Sequence, residues 1–373
     1  MEKIRVLVVD DSAFMRKVIT DILSEDPGIE VIDRARNGLE GIKKVKELQP
    51  DVVTLDIEMP VMNGLDALEQ LMQNHPVPVV MLSSLTKEGA DATIRALELG
   101  AFDFVTKPSG SISLDLHTVG ARIVSLVKQA AISKAKVKRT SGGGMTARPF
   151  ANKFLAPSAP ANKTAAVVRA VPAANTDITR SHASKLVAIG TSTGGPKALQ
   201  TVLTALPADF PAPIVIVQHM PPGFTKSLAQ RLDTLCQIKV VEAEDGQLVQ
   251  PGTAYIAPGG FHFEVVQGTG ANLTVHLHKA EARNGHRPSV DVLFESISKL
   301  ARVSKWAVIM TGMGSDGTNG LRQIKASGSV TSVIEDESSC VVFGMPRAAI
   351  QAGLADQVVP LEQIAETLVK LVN

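Results

Sequence analysis

The sequence predicts an α/β protein made of two doubly wound units, each a largely parallel sheet flanked by helices. Three observations carry the prediction. Short β-branched apolar runs alternate with helical periodicity through 4–127 and again from 186 onward, the order that produces strand-helix-strand units. The runs at 4–9, 51–55, 77–82, 186–189 and 214–217 are almost continuously apolar, as strands covered on both faces must be. Between the two units, at 133–184, the apolar period gives way to Lys134, Lys136, Lys138 and Arg139, then Ser141-Gly142-Gly143-Gly144, then repeated Ala, Pro and Asn. That stretch buries too little to offset its ordering entropy and reads as a flexible tether. The expected division is therefore 1–132, a linker at 133–184, and 185–373.

With 373 residues, 45% hydrophobic and 20% charged, the chain is long enough for two real cores. A net charge of +1 and only 3% aromatic residues argue against a chain-wide nucleic-acid surface, which needs a basic excess and stacking groups. Cys236 and Cys340 give no disulfide framework and fit a reducing compartment. No leader pattern opens the chain and no apolar run approaches the ~20 residues of a membrane span, so a cytoplasmic location without membrane insertion is expected.

In the first unit, the run at 4–9 ends in Asp10-Asp11-Ser12, and Ser12 is placed to cap a helix carrying Phe14, Val18, Ile19, Ile22 and Leu23 at helical spacing. A second strand near 30–35 leads into Asn37-Gly38-Leu39-Glu40, a capping-box-like helix start. The third run delivers Asp56 to its carboxyl end, followed by Met59-Pro60 and Asn63-Gly64. A fourth ends in Ser83-Ser84, a fifth in Thr106-Lys107-Pro108, and a helix over 115–131 closes the unit. Ligands of such sheets sit outside the strand C-termini, where Asp10, Asp11 and Asp56 converge. Three carboxylates repel one another unless a hard cation is present, and Mg²⁺ suits all-oxygen ligands. Lys107 and Ser83 complete a site suited to a phosphoryl group on a carboxylate oxygen.

These residues resemble those of response-regulator receiver domains, over roughly 1–130. The resemblance implies a flavodoxin-like five-stranded sheet, Asp56 as phospho-acceptor, Asp10 and Asp11 with Asp56 as Mg²⁺ ligands, and Ser83 and Lys107 as supporting groups. Phe104 falls at the aromatic switch position.

The second unit opens with Leu186-Val187-Ala188-Ile189-Gly190-Thr191-Ser192-Thr193-Gly194-Gly195-Pro196, a buried strand, a sharp turn and a helix. Gly190-Thr191-Ser192-Thr193-Gly194 fits the G-x-S-x-G nucleophile turn, although glycine-rich strand-to-helix turns also cradle phosphate. The run at 214–217 continues as Gln218-His219-Met220-Pro221-Pro222, and the prolines stop the strand so that His219 is left at its end as a base. Turn signals through 245–267 separate short runs that include Tyr255-Ile256-Ala257 and Phe261-His262-Phe263, an expected antiparallel excursion. His276 and His278 alternate on one strand, but spacing suggests no third metal ligand. Arg287-Pro288-Ser289-Val290-Asp291 starts a helix, and the strand through 306–310 ends in Thr311-Gly312-Met313-Gly314-Ser315-Asp316-Gly317. Asp316 taken alone reads as a helix cap. Together with His219 it reads as the acid that orients the base, with Met313 and Thr193 at the oxyanion and in its support. His286 is the competing base.

The four loop motifs resemble the catalytic domain of chemotaxis protein-glutamate methylesterases, over about 185–373. That resemblance implies hydrolysis of glutamate γ-methyl esters on methyl-accepting chemoreceptors, and deamidation of receptor glutamines, by Ser192, His219 and Asp316, with no cofactor for the ester chemistry. It also implies a chemotaxis histidine kinase as phosphodonor. A phosphorylatable module tethered to an enzyme with an exposed macromolecular substrate predicts a receiver that packs over the Ser192 crevice until Asp56 is phosphorylated with Mg²⁺ bound. The alternatives are a response regulator whose output half binds a ligand or nucleic acid, and a nucleotide-binding enzyme. The second half has neither a helix-turn-helix pattern nor G-x-x-x-x-G-K-[ST].

Overall fold

The structure, a computed structural model, describes residues 2–107, 113–141, 184–268, 272–328 and 330–373. Most of the expected linker, 142–183, and Pro108 lie outside the described residues.

The first unit runs β1 (Ile4–Val9), α1 (Ala13–Ser24), β2 (Ile29–Ala35), α2 (Gly38–Leu48), β3 (Val52–Asp56), α3 (Gly64–Asn74), β4 (Val79–Ser83), α4 (Lys87–Leu99), β5 (Asp103–Thr106) and α5 (Ser113–Ser141). The strands form one sheet in the order β2-β1-β3-β4-β5, every pair parallel. The caps follow the sequence: Ser12 Oγ accepts from Met15 N–H and Asn37 Oδ1 from Glu40 N–H. Helix α5 extends to Ser141, ten residues past the point where the apolar period ends.

The second unit runs β6 (Ser184–Thr191), α6 (Gly195–Thr204), β7 (Ile214–Gln218), α7 (Phe224–Leu235), β8 (Lys239–Glu242), β9 (Thr253–Ile256), β10 (His262–Gln267) and β11 (Leu273–His278), followed by α8 (Val290–Ser298), β12 (Val303–Ile309), α9 (Thr318–Ala326), β13 (Val330–Glu335), α10 (Met345–Gln351), β14 (Gln357–Val359) and α11 (Leu361–Val372). Its main sheet has the order β14-β13-β12-β6-β7-β9-β8 and is parallel throughout. Strands β10 and β11 form a separate antiparallel pair. The excursion is therefore narrower than expected. Tyr255 and Ile256 lie in β9, fully buried and parallel to β7 and β8, because an apolar run covered on both faces is worth more inside the main sheet than on a hairpin.

Each sheet reverses its winding once, between β1 and β3 in the first and between β6 and β12 in the second. Such a reversal leaves a crevice outside the strand ends where a ligand fits. The two units also pack on each other, α4 against α6 and α7. Phe104 stacks on Phe224 with centroids 4.8 Å apart, and Arg231 Nε meets Glu98 Oε1 at 2.6 Å. Val342 is buried in the same cluster as Phe102, Val105, Ile123 and Leu126 of the first unit, with Met313 against it.

Candidate active site and phosphorylation pocket

The registers bring three strand ends together in the second unit. Gly190 of β6 pairs with Ile309 of β12, and Thr191 with Gln218 of β7, so Ser192, His219 and the loop after β12 emerge side by side. Helix α6 starts directly behind Ser192, with Gly194 in the left-handed region at φ 78° and Pro196 in its first turn. The turn admits no side chain at Gly195: a Cβ there would sit 2.0 Å from Gln218 Oε1 and 2.5 Å from Thr191 Oγ1. Gly195→Ala is therefore expected to cost at least ~1–3 kcal/mol in urea unfolding, the usual range for overpacking; an unchanged midpoint would show that the turn relaxes freely.

Thr311 is the hub of the turn. Its carbonyl accepts from Thr191 Oγ1 at 2.9 Å and from Ser192 N–H at 3.0 Å, while its hydroxyl donates to Thr193 O at 2.9 Å. Buried Glu335 fixes the Thr311 N–H at 2.7 Å, and the Gln218 amide donates to Ser192 O at 3.0 Å. The roles of Thr311, Glu335 and Gln218 in the site were not apparent from the sequence. The signal was a polar residue closing an apolar strand immediately before a site loop, which Gln218, Thr311 and Glu335 share.

His219 Nε2 lies 2.8 Å from Asp316 Oδ2. The Asp316 carboxylate also accepts from Ser289 Oγ at 2.9 Å, Val290 N–H at 2.7 Å and Asp291 N–H at 3.0 Å. Burial pushes this carboxyl up, but His219 and the α8 amides outweigh it and bring the pKa down to about 2. An ionised carboxylate only accepts, so Nε2 carries the proton and Nδ1 is left with its lone pair. Nδ1 is buried without a hydrogen-bond partner, so the serine-histidine hydrogen bond is not formed in this arrangement. His286 stacks flat on His219, centroids 3.9 Å apart and planes within 5°. Burial and the neighbouring His219 push its pKa down to about 4, which keeps His286 neutral at ordinary pH.

All three triad candidates are covered: Ser192 is 8% exposed, His219 5% and Asp316 3%. Part of the cover is the first unit. Ser125 Oγ of α5 contacts Met313 Sδ at 3.1 Å, and the buried Asp103 carboxyl of β5 engages the Thr193 hydroxyl beside Ser192. Arg122 of α5 adds a positive charge that acts on both Asp103 and His286.

In the first unit, Asp10, Asp11 and Asp56 offer oxygens within 4.8 Å of one another, the one such group of potential metal ligands among the described residues. Lys107 Nζ reaches Asp56 Oδ2 at 2.7 Å and Asp10 Oδ2 at 3.0 Å. Burial, with the Asp10 charge adding to it, pushes Asp56 up to about 6 against the pull of Lys107. That excess of buried negative charge is what a divalent cation would relieve, so the donor set fits Mg²⁺. Ser83 is bonded to α4: its hydroxyl donates to Gly89 O at 3.1 Å and accepts from Thr93 Oγ1 at 2.7 Å. Phe104 is 2% exposed, held between its own sheet and Phe224. His276 and His278 face each other at 5.7 Å and stand near Asp245 and Glu264.

The fold and its two strand-end sites define a response regulator with an enzymatic output half. The family described as response regulator receiver domain matches residues 6–117, and that described as CheB methylesterase matches residues 187–368. The chain is 54% identical over 368 residues to a protein-glutamate methylesterase/protein-glutamine glutaminase of Halalkalibacterium halodurans, covering 99% of this chain and 98% of the relative. It is 52% identical over 373 residues to the protein of the same name from Geobacillus kaustophilus, covering all of both. The solved catalytic domain of Thermotoga maritima CheB methylesterase is 48% identical, covering 51% of this chain and 99% of that one, with a TM-score of 0.49. The chain belongs to the protein-glutamate methylesterase/protein-glutamine glutaminase family.

Proposed function

We propose that this chain hydrolyses glutamate γ-methyl esters on methyl-accepting chemoreceptors, and the amides of selected receptor glutamines, under control of phosphorylation at Asp56. The observation that carries the reading is the Asp316-bound His219 whose free Nδ1 stands at the strand end next to the Ser192 turn. His219 Nδ1 takes the Ser192 proton, Ser192 Oγ adds to the ester carbonyl, and the same proton is returned to methoxide as methanol leaves. Water, deprotonated by Nδ1 in turn, releases the glutamate; with a glutamine substrate the leaving group is ammonia. Backbone N–H groups of Met313 and of Thr193 at the α6 N-terminus receive the negative charge on the carbonyl oxygen. Thr193 also serves through its carbonyl, tied to Thr311. His286 acts as a neutral wall that keeps water off the imidazole face rather than as the base.

The receiver accepts a phosphoryl group on Asp56 from a chemotaxis histidine kinase. A Mg²⁺ ion held by Asp10, Asp11 and Asp56 would neutralise the incoming phosphoryl oxygens there. Lys107 holds a further oxygen, and Ser83, freed from Gly89, turns to bond the phosphate and draws α4 with it. Domain division follows the same reading, with a receiver at 1–132, a tether at 133–184 whose first residues, to Ser141, continue helix α5, and the esterase at 185–373. No helix among the described residues is long and apolar enough to cross a membrane, and the cytoplasm is the compartment this chemistry needs.

Single-turnover rates with methylated receptor decide between the two histidines. His219→Ala is expected to lose at least ~10³-fold, and His286→Ala no more than about 10-fold. The reverse ranking would make His286 the base.

A further inference from the structure

Helices α8 and α9 hold each other's first turns through two buried acids. Asp316, the residue before Gly317, caps α8 by accepting from Ser289 Oγ, Val290 N–H and Asp291 N–H. Asp291, in the first turn of α8, does not cap its own helix. Its Oδ1 reaches across to α9 and accepts from Gly317 N–H at 3.0 Å and Gly320 N–H at 2.7 Å. Helix α9 has Gly317 at its N-cap and no side-chain cap of its own, so Asp291 supplies the acceptor that its own sequence lacks. The carboxyl is fully buried and its Oδ2 has no partner, an arrangement that costs free energy unless the two amides need it. Burial and the Asp316 charge push this carboxyl upward against the pull of the Gly320 and Gly317 amides.

We propose that Asp291 is a positioning residue of the hydrolytic site: by fixing the first turn of α9 to α8 it keeps the Asp316 carboxylate aimed at His219 Nε2. The inference rests on the Ser192-His219-Asp316 reading. Gly317 is the residue after Asp316, and its N–H is shared between Asp291 Oδ1 at 3.0 Å and Asp316 Oδ1 at 3.1 Å, so Asp291 is one of the two acceptors that fix the peptide aiming the acid. A misplacement of about 1 Å in such a group costs on the order of 10²-fold in rate.

The test uses the full chain, with methanol release from methylated receptor read as kcat and KM. Asp291→Asn keeps an acceptor oxygen for both amides and is expected to lose less than ~10-fold in kcat, whereas Asp291→Ala loses on the order of 10²-fold with KM within about twofold. On an Asp316→Asn background, Asp291→Ala should cost less than about threefold more, because its effect runs through Asp316. The proposal is overturned by an Asp291→Ala kcat close to the parent's, or by the same loss recurring undiminished on the Asp316→Asn background. Should Asp291→Ala not give a folded circular-dichroism spectrum, Asp291→Ser takes its place; failure of both to fold makes the residue a purely structural clamp and overturns the proposal too. Full activity of Asp316→Asn would sink the triad reading itself, whereas its loss beside an intact Asp291→Ala sinks only this inference.

Discussion

Ser192→Ala is expected to reduce methanol release from methylated receptor by at least ~10⁴-fold, about 5.5 kcal/mol of transition-state stabilisation, while the protein melts where the parent does. The effect is large because in the proposed mechanism the hydroxyl is the one group that forms the covalent bond, and Ala leaves only the oxyanion donors and substrate positioning. Folding is spared because neither the Thr311-centred hydrogen bonds nor the Gln218 amide touches the Ser192 hydroxyl; they hold its backbone. The hydroxyl buries little area and, in this arrangement, has no histidine partner to lose. Glutamine deamidation should fall in parallel, since both reactions pass through the same acyl-serine. Retention of more than ~1% of either rate would remove Ser192 as nucleophile. Because Asp316 stays ionised down to a pH of about 2, the acid limb of the parent's pH-rate profile should not report this carboxylate.

How much of this was legible in the residue order depends on whether the chemistry is local. The strand ends were, because a buried strand must stop where its apolar run stops, and Ser192, His219, Asp10 and Asp56 each stand within one or two residues of such a stop. Parallel winding then places those ends together. What spacing does not encode is which polar groups meet across strands. Glu335 has its role only because the fold puts it under the Thr311 N–H, and Asp291, read from the sequence only as part of a helix start, is used by α9. The β9 misplacement has the same origin: turn signals report that strands are short, not which sheet recruits them. The face Phe104 packs on was equally out of reach, since Phe224 is supplied by the other half of the chain. The tether between the halves lies largely outside the described residues, so its reading still rests on composition.

Removing residues 1–184 is expected to raise the activity of the unphosphorylated protein by ~10–100-fold. The receiver lies against the site loops in three ways: α4 packs on α6 and α7, Met313 and Val342 are drawn into the receiver's apolar cluster, and Asp103 occupies the Thr193 hydroxyl. On the proposed reading a receptor helix must reach the same space. If these contacts favour the closed arrangement by about 1.4–2.8 kcal/mol, roughly 90–99% of molecules are closed, and the gain on removal follows. The Glu98–Arg231 pair is partly exposed and worth only ~0.2–1 kcal/mol, so Arg231→Ala should give less than about a fivefold gain. Phe104→Ala removes a buried ring at the centre of the contact and should approach the fragment's rate. Phosphorylation of Asp56 should move the intact chain the same way, because pulling Ser83 towards the phosphate withdraws it from Gly89 and Thr93 of α4, the helix that carries Glu98 and Leu97 to the interface. Equal rates for fragment and intact chain would mean that the packed receiver does not obstruct the substrate, and would leave the ester chemistry at Ser192 untouched.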